Sequence, residues 1–375
     1  MTPADLSLTV LRAVRRAVGD GVLAVREVPP RVVVERPRAG GCGDWATNAA
    51  LQLAGPAALP PRQVAEVLRE RLLDAPGIER VDITGPGFLN LTLRPGTRAE
   101  AGRLLVRRVR EEGRRYGYGD ALGRLPEHEV RFLVPDGADL RLRALTRAVV
   151  ALLRSQGAPA RATGGQASGG QATSAQATSD QAPAGQVTGA QVTGARATGD
   201  QATGGRAARR LRAVPPHYDV AAALGPDARQ WALLRPAAHD RVLDAAPLLR
   251  LTEADNPLFT VQYAHARSRA LLRNAADLGF TGAYEEEVDA PELLAALADH
   301  PAVLLAAARR HAPDRLARHL EATADAFLGF QHTVLPRGDE KPSAAHRSRL
   351  ALAEAAGTVL AGGLSLLGVS APDHL

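Results

Sequence analysis

The sequence predicts an α+β domain at the N-terminus, a truncated α/β unit, a disordered repeat linker and an all-α helical bundle at the C-terminus. Two alternating strand patterns flank a Gly-Pro-Gly turn at 85–87, as expected for a hairpin. Residues 161–205 repeat five-residue units that contain no bulky apolar side chain. From residue 255 onward, apolar residues recur at the spacings of three and four that are typical of helices.

The N-terminal segment, residues 1–97, combines helical and strand patterns. Gly85, Pro86 and Gly87 punctuate its last two strands, which alternate apolar and polar residues. The predicted elements are a helix at 6–18, a strand at 31–37, a turn at 40–44, helices at 47–54 and 61–73, and strands at 81–84 and 88–93. We therefore expect a small α+β domain.

The middle of the chain contains three segments with different sequence patterns. Residues 98–160 predict a helix at 98–112, a strand at 130–134 and a helix at 140–155. The repeat at 161–205 has no apolar surface whose burial could offset its ordering entropy, which predicts a flexible linker. A repeat solenoid is the remote alternative. Residues 206–250 regain a helical pattern and are predicted to be a connector.

The C-terminal segment, residues 251–375, predicts a bundle of helices. Helices are expected at 256–273, 291–297, 301–311, 314–332 and 343–367, with a kink at the glycine pair 362–363. Asn256, or Asp255 beside it, can cap the first of these helices, and Pro257 suits its first turn.

The first helix of this bundle presents three different faces. One face is apolar, one carries Tyr263 and Arg267, and one carries Gln262, Arg269 and Arg273. Its ordinary interpretation is a core helix with a solvated arginine face. The alternative is an RNA-binding helix, in which Tyr263 stacks an unpaired base and the guanidinium groups hold phosphates.

Composition limits the possible function classes. A net charge of +6 fits a polyanionic partner but does not require one. The single cysteine, Cys42, excludes an intrachain disulfide and a cysteine-cluster zinc site. The scattered histidines form no metal-binding pair, and no phosphate-binding loop with its lysine is present. We therefore predict no catalytic residue, cofactor or metal site, no membrane segment and a cytoplasmic location.

The helix that begins at Asn256 carries a family likeness. Residues 256–267, Asn-Pro-Leu-Phe-Thr-Val-Gln-Tyr-Ala-His-Ala-Arg, strongly resemble the opening of the DALR-type anticodon-binding domain of arginyl-tRNA synthetases, a class I aminoacyl-tRNA synthetase family. Residues 313–320 and 364–372 resemble later landmarks of the same domain. The resemblance implies that the bundle binds the anticodon arm of an arginine-type tRNA.

The N-terminal segment resembles another part of the same family. Residues 43–51 and 85–90 are similar to the two signatures of the N-terminal additional domain of arginyl-tRNA synthetases. That domain contacts the D-loop corner of tRNA, and the resemblance implies that Phe88 and Asn90 make this contact. The alternative is that Phe88 packs in the core and Asn90 caps the edge of the sheet.

The catalytic signatures of the family are not matched. The family carries His-x-Gly-His where this chain has residues 136–140, and the nearest histidine, His128, precedes the strand. The segment before Tyr218 lacks the lysines of a Lys-Met-Ser-Lys-Ser-type loop. We therefore interpret residues 98–160 as a degenerate remnant of the catalytic core.

The C-terminal domain also departs from the family pattern. Thr260 stands where a tyrosine is common, Leu328 and Gln331 replace a polar residue and a tyrosine, and His374 replaces a residue that is often methionine. These departures predict an altered or relaxed base preference.

From these observations we expect a non-catalytic tRNA-binding protein that contacts the D-loop corner and the anticodon arm. One alternative is an arginine–tRNA ligase with ATP-dependent aminoacylation activity. Another is a regulatory scaffold that docks on a full-length synthetase.

Overall fold

The computed structural model describes residues 3–29, 32–35, 37, 42–94, 96–123, 130–165, 208–252 and 255–375. Its buried apolar residues form two cores, one within residues 6–93 and one that extends from Leu105 to Val369. The predicted segment 98–160 therefore shares a core with the C-terminal bundle. The glycine pair 40–41, His128 and the repeat from residue 166 to 205 lie outside the described residues.

The N-terminal domain is a four-stranded antiparallel sheet covered by helices. Its elements are α1 (Pro3–Gly19), β1 (Val34–Glu35), β2 (Trp45–Thr47), α2 (Ala49–Ala57), α3 (Pro61–Leu73), β3 (Ile78–Thr84) and β4 (Phe88–Leu93). The strand order is β1-β2-β4-β3. Leu68 and Leu89 are fully buried where α3 packs on the sheet.

The start of the predicted helix at 47–54 is wrong. Residues 45–47 form β2, in which Trp45 pairs with Leu91 of β4, and the helix begins at Ala49. Thr47 Oγ1 donates to the carbonyl of Val33 at 2.7 Å, which fixes the strand. Pairing with a distant strand thus overrides the local helical pattern. The predicted strand at 31–37 is confirmed only as the short β1.

The segment that follows supplies α4 (Thr97–Glu112), β5 (Val130–Pro135), α5 (Leu140–Ser155) and β6 (Ala160–Gly165). Strands β5 and β6 pair in parallel, with α5 as the crossover between them. Residues 161–165, the first of the predicted linker, therefore belong to a strand. Helix α4 packs on the bundle, where Arg110 forms a 2.6 Å ion pair with Glu354.

One buried arginine joins α5 to the connector that contains α6 (Val220–Ala223), α7 (Pro226–Leu234) and α8 (Ala245–Leu248). The Arg141 side chain is 1% exposed. It donates to the carbonyls of Val214 at 2.8 Å, Leu233 at 3.1 Å, Ala237 at 2.8 Å and Asp240. Burial lowers the Arg141 pKa. The carbonyl cage satisfies the donors that burial removes from water.

The C-terminal bundle consists of α9 (Pro257–Asp277), α10 (Pro291–Arg310), α11 (Pro313–Phe330) and α12 (Ala344–Leu367). The two helices predicted at 291–297 and 301–311 form the single helix α10, which contains Pro301. Leu297 and Leu304, on either side of the proline, are fully buried. Packing of both turns on the same core offsets the hydrogen bond that proline removes.

Helix α12 is central to the bundle and continues through its glycine pair. A Cβ atom on Gly362 would lie 2.5 Å from the Arg114 carbonyl, and one on Gly363 would lie 2.5 Å from the Leu320 side chain. The glycines therefore permit close packing within one continuous helix, and the kink at this pair stays a prediction. By length and composition, α10 and α12 could each cross a membrane, but 83% of the apolar window in α12 is buried within the protein.

Candidate RNA-binding surfaces

The turn between β3 and β4 presents an aromatic side chain at the end of the sheet. Phe88, the first residue of β4, pairs with Thr84 and is 41% exposed. Gly87 has a φ of 145°, and a Cβ atom there would lie 2.9 Å from the Pro61 carbonyl. The turn therefore requires glycine at this position. It leaves the ring of Phe88 accessible to a flat partner such as a nucleobase, and the alternative of a core phenylalanine is not observed.

Asn90 does not share this exposure. Its side chain is 4% exposed, and its Nδ2 donates to Thr84 Oγ1 at 2.7 Å. This bond ties β4 to the last residue of β3. In this conformation Asn90 supports the turn that presents Phe88, and the predicted joint contact of both residues with one base is not preformed.

The start of α9 is fixed by its cap. Asn256 Oδ1 accepts hydrogen bonds from the backbone N–H groups of Leu258 and Phe259, both at 3.1 Å. Its Nδ2 donates to the carbonyls of Leu248 and Arg250. Of the two predicted cap candidates it is therefore Asn256 that caps the helix, and the same side chain fastens the helix to the connector.

Tyr263 lies on an aromatic ladder along α9. Its ring stacks on that of Phe259, with the centroids 5.7 Å apart and the planes 6° from parallel. Both side chains are half-buried. A ring that is stacked on one side and partly open to solvent can stack a base without losing rotamer freedom on binding.

Arg267 lies one turn further along the same face. Its Nε donates to Gln331 Oε1 at 2.6 Å, which connects α9 to the 3-10 turn after α11. This bond holds the Arg267 guanidinium group beside the Gln331 side chain. The remaining N–H groups of a guanidinium form the fork that suits phosphate.

Arg269 and Arg273 are exposed but contact the C-terminal segment. Arg269 pairs with Asp373 at 3.3 Å. Arg273 donates to the Asp373 carbonyl and approaches His374 Nδ1, both at 3.4 Å. A phosphate that binds Arg269 must therefore compete with the Asp373 carboxylate. Sequence reasoning missed Asp373, because nothing local connects residues about a hundred positions apart.

Gln262 is buried rather than presented to RNA. Its Nε2 donates to Asp227 Oδ2 at 2.9 Å and to the Ser370 carbonyl at 3.1 Å. The Ser370 N–H in turn donates to Asp227 Oδ1 at 3.1 Å. The predicted RNA contact of Gln262 is therefore not available in this conformation, where the residue holds the C-terminal segment against α7.

His265 adds a further attachment of that segment. Its Nδ1 lies 2.9 Å from the Pro372 carbonyl. Burial lowers the pKa of His265. The tail from Gly368 to Leu375 is thus held across α9, close to Arg269 and Arg273.

The turn before α5 is occupied by structural contacts. Asp139 Oδ1 accepts from the Leu142 N–H at 2.9 Å and caps the helix. Arg143 donates to the Asp136 carbonyl at 3.3 Å. The carboxylates and glycine at this turn match a helix cap, and histidine is not among its residues 136–140.

Two family models match the chain. The DALR anticodon binding domain matches residues 261–375, and the arginyl tRNA synthetase N terminal domain matches residues 8–93. The predicted resemblance is confirmed on both segments, which contain Tyr263 and Phe88.

Relatives also align along the whole chain. The arginine–tRNA ligase of Frankia alni is 30% identical over 561 residues, and that of Kineococcus radiotolerans is 27% identical over 558, with 100% of each chain covered. The arginine–tRNA ligase of Renibacterium salmoninarum is 43% identical over 165 residues, or 42% of this chain and 29% of the relative. A Thermus thermophilus arginyl-tRNA synthetase structure has a TM-score of 0.63 at 13% identity, with 100% of each chain covered, a likeness in fold alone.

These relatives overturn one expectation. The sequence predicted a protein that is not an enzyme, but its full-length relatives are named arginine–tRNA ligases. They favour the alternative of ATP-dependent aminoacylation. The prediction was wrong because it weighed two missing local signatures above the similarity of the chain as a whole.

Proposed function

Because the chain belongs to the arginyl-tRNA synthetase family, we propose that it acts in the ATP-dependent ligation of arginine to tRNA, in which its two terminal domains hold the tRNA. The observation that carries this proposal is the 30% identity to the Frankia alni arginine–tRNA ligase, with 100% of both chains covered. The matches to the N-terminal and anticodon-binding domains support the role in tRNA binding.

The two terminal domains would contact different parts of the tRNA. Phe88 would stack in the D-loop corner, while Tyr263 and Arg267 would hold a base and a phosphate of the anticodon arm. Each contact is small, but two contacts on one ligand reinforce each other when the spacing of the domains matches the span of the RNA. An arginine-type tRNA and a cytoplasmic location complete the proposal.

The ATP-dependent step is the part of this proposal that most needs a direct test. The β5–α5–β6 unit occupies the position where the family carries its adenylate-binding signature, and here Asp139 caps α5 at that place. ATP and arginine enter as substrates. Exchange of pyrophosphate into ATP, measured with arginine and tRNA present, tests this step. Exchange that requires arginine supports the proposal, and no exchange by a folded chain that binds tRNA would overturn its ATP-dependent part.

A second candidate function is docking on a full-length synthetase. The alignment with the Kineococcus radiotolerans relative runs over 558 positions against 375 residues here, so at least 183 positions have no residue in this chain. A complete synthetase would supply such segments. Addition of this chain to a full-length synthetase should then change the rate at which that enzyme charges tRNA, whereas an unchanged rate across a titration would exclude this candidate.

A further inference from the structure

A cleft of about 440 Å³ lies between the bundle and the connector, and no residue of α9 lines it. Its walls come from the first turns of α5, the loop after α7, the end of α10 and the start of α11. Arg141 forms part of its wall, and the carbonyl cage holds that side chain in place. The cleft is therefore built on a rigid base.

Its rim carries an excess of positive charge. Arg310, Arg315 and Arg318 line the cleft together with the carboxylates Asp240 and Asp314. Arg318 pairs with Asp314 at 2.8 Å, which neutralises that carboxylate. Across the described residues, neither Arg310 nor Arg315 has a carboxylate partner within ion-pair distance. Two guanidinium forks are thus uncommitted at one cavity.

Two histidines and the Asp240 carboxylate also line the cleft. His239 Nε2 lies 3.6 Å from Asp240 Oδ1. His311 has a lowered pKa, caused by burial and by the charge of nearby Arg209. Its neutral ring packs edge-on against Phe132, with centroids 5.4 Å apart. Because His311 is neutral, the arginines supply the positive charge at the cleft.

The backbone at the junction of α10 and α11 also favours an anionic ligand in the cleft. His311 has a φ of 52°, a left-handed conformation that non-glycine residues seldom adopt. It reverses the chain so that α11 begins at the cleft. The cap residue Ala312 offers no side-chain acceptor to the first turn of α11. The first turn also carries the buried Asp314 carboxylate, so the positive end of the helix dipole adds only in part to the charge of the arginines.

We propose that this cleft binds a phosphate group between Arg310 and Arg315. Guanidinium pairs bind phosphate through paired N–H donors, and the cleft has room for more than a single phosphate. The phosphate belongs either to the backbone of bound RNA or to a free nucleotide. The first case rests on the proposed function and adds a third contact with tRNA, and the second is independent of it.

The test uses the full chain with Arg310→Gln and Arg315→Gln together. The matched control is Arg309→Gln with Arg212→Gln, which removes the same charge from exposed positions that do not line the cleft. Thermal unfolding first establishes that both variants remain folded. Two titrations then follow, one with tRNA at several salt concentrations and one with inorganic pyrophosphate.

The two titrations distinguish the source of the phosphate. If RNA occupies the cleft, the slope of log K against log salt becomes shallower by about 0.9 per lost phosphate contact in the cleft variant alone. If a free nucleotide occupies it, pyrophosphate binding falls at least tenfold in that variant alone. Equal behaviour of both variants in both titrations would overturn the proposal. If the unaltered chain does not bind tRNA, the proposed function is overturned instead. The pyrophosphate titration alone would then test whether the cleft binds phosphate.

Discussion

The ring of Tyr263 lies nearly parallel to that of Phe259, with the two centroids 5.7 Å apart. This stack leaves one partly open aromatic face on α9. If a base of tRNA stacks on that face, Tyr263→Ala should weaken tRNA binding by about 1–3 kcal/mol, because stacking on an aromatic side chain contributes on that order per base. Fluorescence anisotropy with labelled tRNA measures the effect.

The conservative variant separates stacking from packing. Tyr263→Phe keeps the ring and should retain most of the affinity. If Tyr263→Ala lowers the melting temperature and leaves tRNA affinity unchanged, the residue belongs to the core of the bundle and not to an RNA surface.

Asp373 restrains an arginine that is predicted to bind phosphate. Its carboxylate pairs with Arg269 at 3.3 Å on the exposed face of α9. Asp373→Asn should release the guanidinium and strengthen tRNA binding about two- to fivefold at low salt, since exposed pairs contribute up to about 1 kcal/mol. Asp339→Asn, which removes the same charge from an exposed turn, is the control. Equal effects of both changes would show that only net charge matters.

Arg141 is expected to be essential for stability. Arg141→Met would remove the donors to the carbonyls of Val214, Leu233, Ala237 and Asp240, of which that of Ala237 still accepts from the Asp240 N–H. Each buried carbonyl left without a partner costs about 1–3 kcal/mol. We expect a loss of at least about 3 kcal/mol in the free energy of unfolding, measured by chemical denaturation. Arg143→Met, on the exposed side of the same helix, should change it by less than about 1 kcal/mol.

The buried His300 and the mostly buried His319 should make the bundle sensitive to acid. The rings of His300 and His319 lie 5.2 Å apart, and His300 also stacks on Tyr116. Burial lowers the pKa of His300 to about 3 and that of His319 to about 4. Each histidine binds its proton more readily in the unfolded chain, where the pKa is about 6.5. The folded state should therefore lose stability as the pH falls from about 6.5 towards 4, by up to about 1.4 kcal/mol per pH unit for each histidine.

His300→Leu provides the check on this pH dependence. The variant should show a shallower dependence of unfolding free energy on pH over that window, whatever its stability at neutral pH. His332→Leu, at an exposed position, should keep the original slope. An unaltered slope in His300→Leu would mean that other groups cause the acid sensitivity.

Local patterns predicted most helices of this fold because caps and apolar periodicity lie within a few residues of each other. The cap at Asn256 and the capping box at Ser343 both follow this rule. Elements set by distant partners were missed. Strand β2 depends on β4, and the single helix α10 depends on the core around Leu297 and Leu304.

The candidate site shows the same division. Tyr263 could be picked out from its face of the helix and Phe88 from the family resemblance, and both are at least partly accessible. The burial of Gln262 and Asn90 could not be foreseen, because Asp227, Ser370 and Thr84 reach them only in the folded chain. The cleft at Arg310 and Arg315 likewise arises from elements that are distant in sequence.

The central claim is tested most directly by the charging of tRNA. The purified 375-residue chain is incubated with labelled arginine, ATP and an arginine-type tRNA, and the label bound to acid-precipitated tRNA is counted. Our account predicts arginine attached to tRNA only when ATP is present, with less product for Tyr263→Ala. Background label from a folded chain, under conditions in which a full-length arginine–tRNA ligase charges the same tRNA, would contradict it.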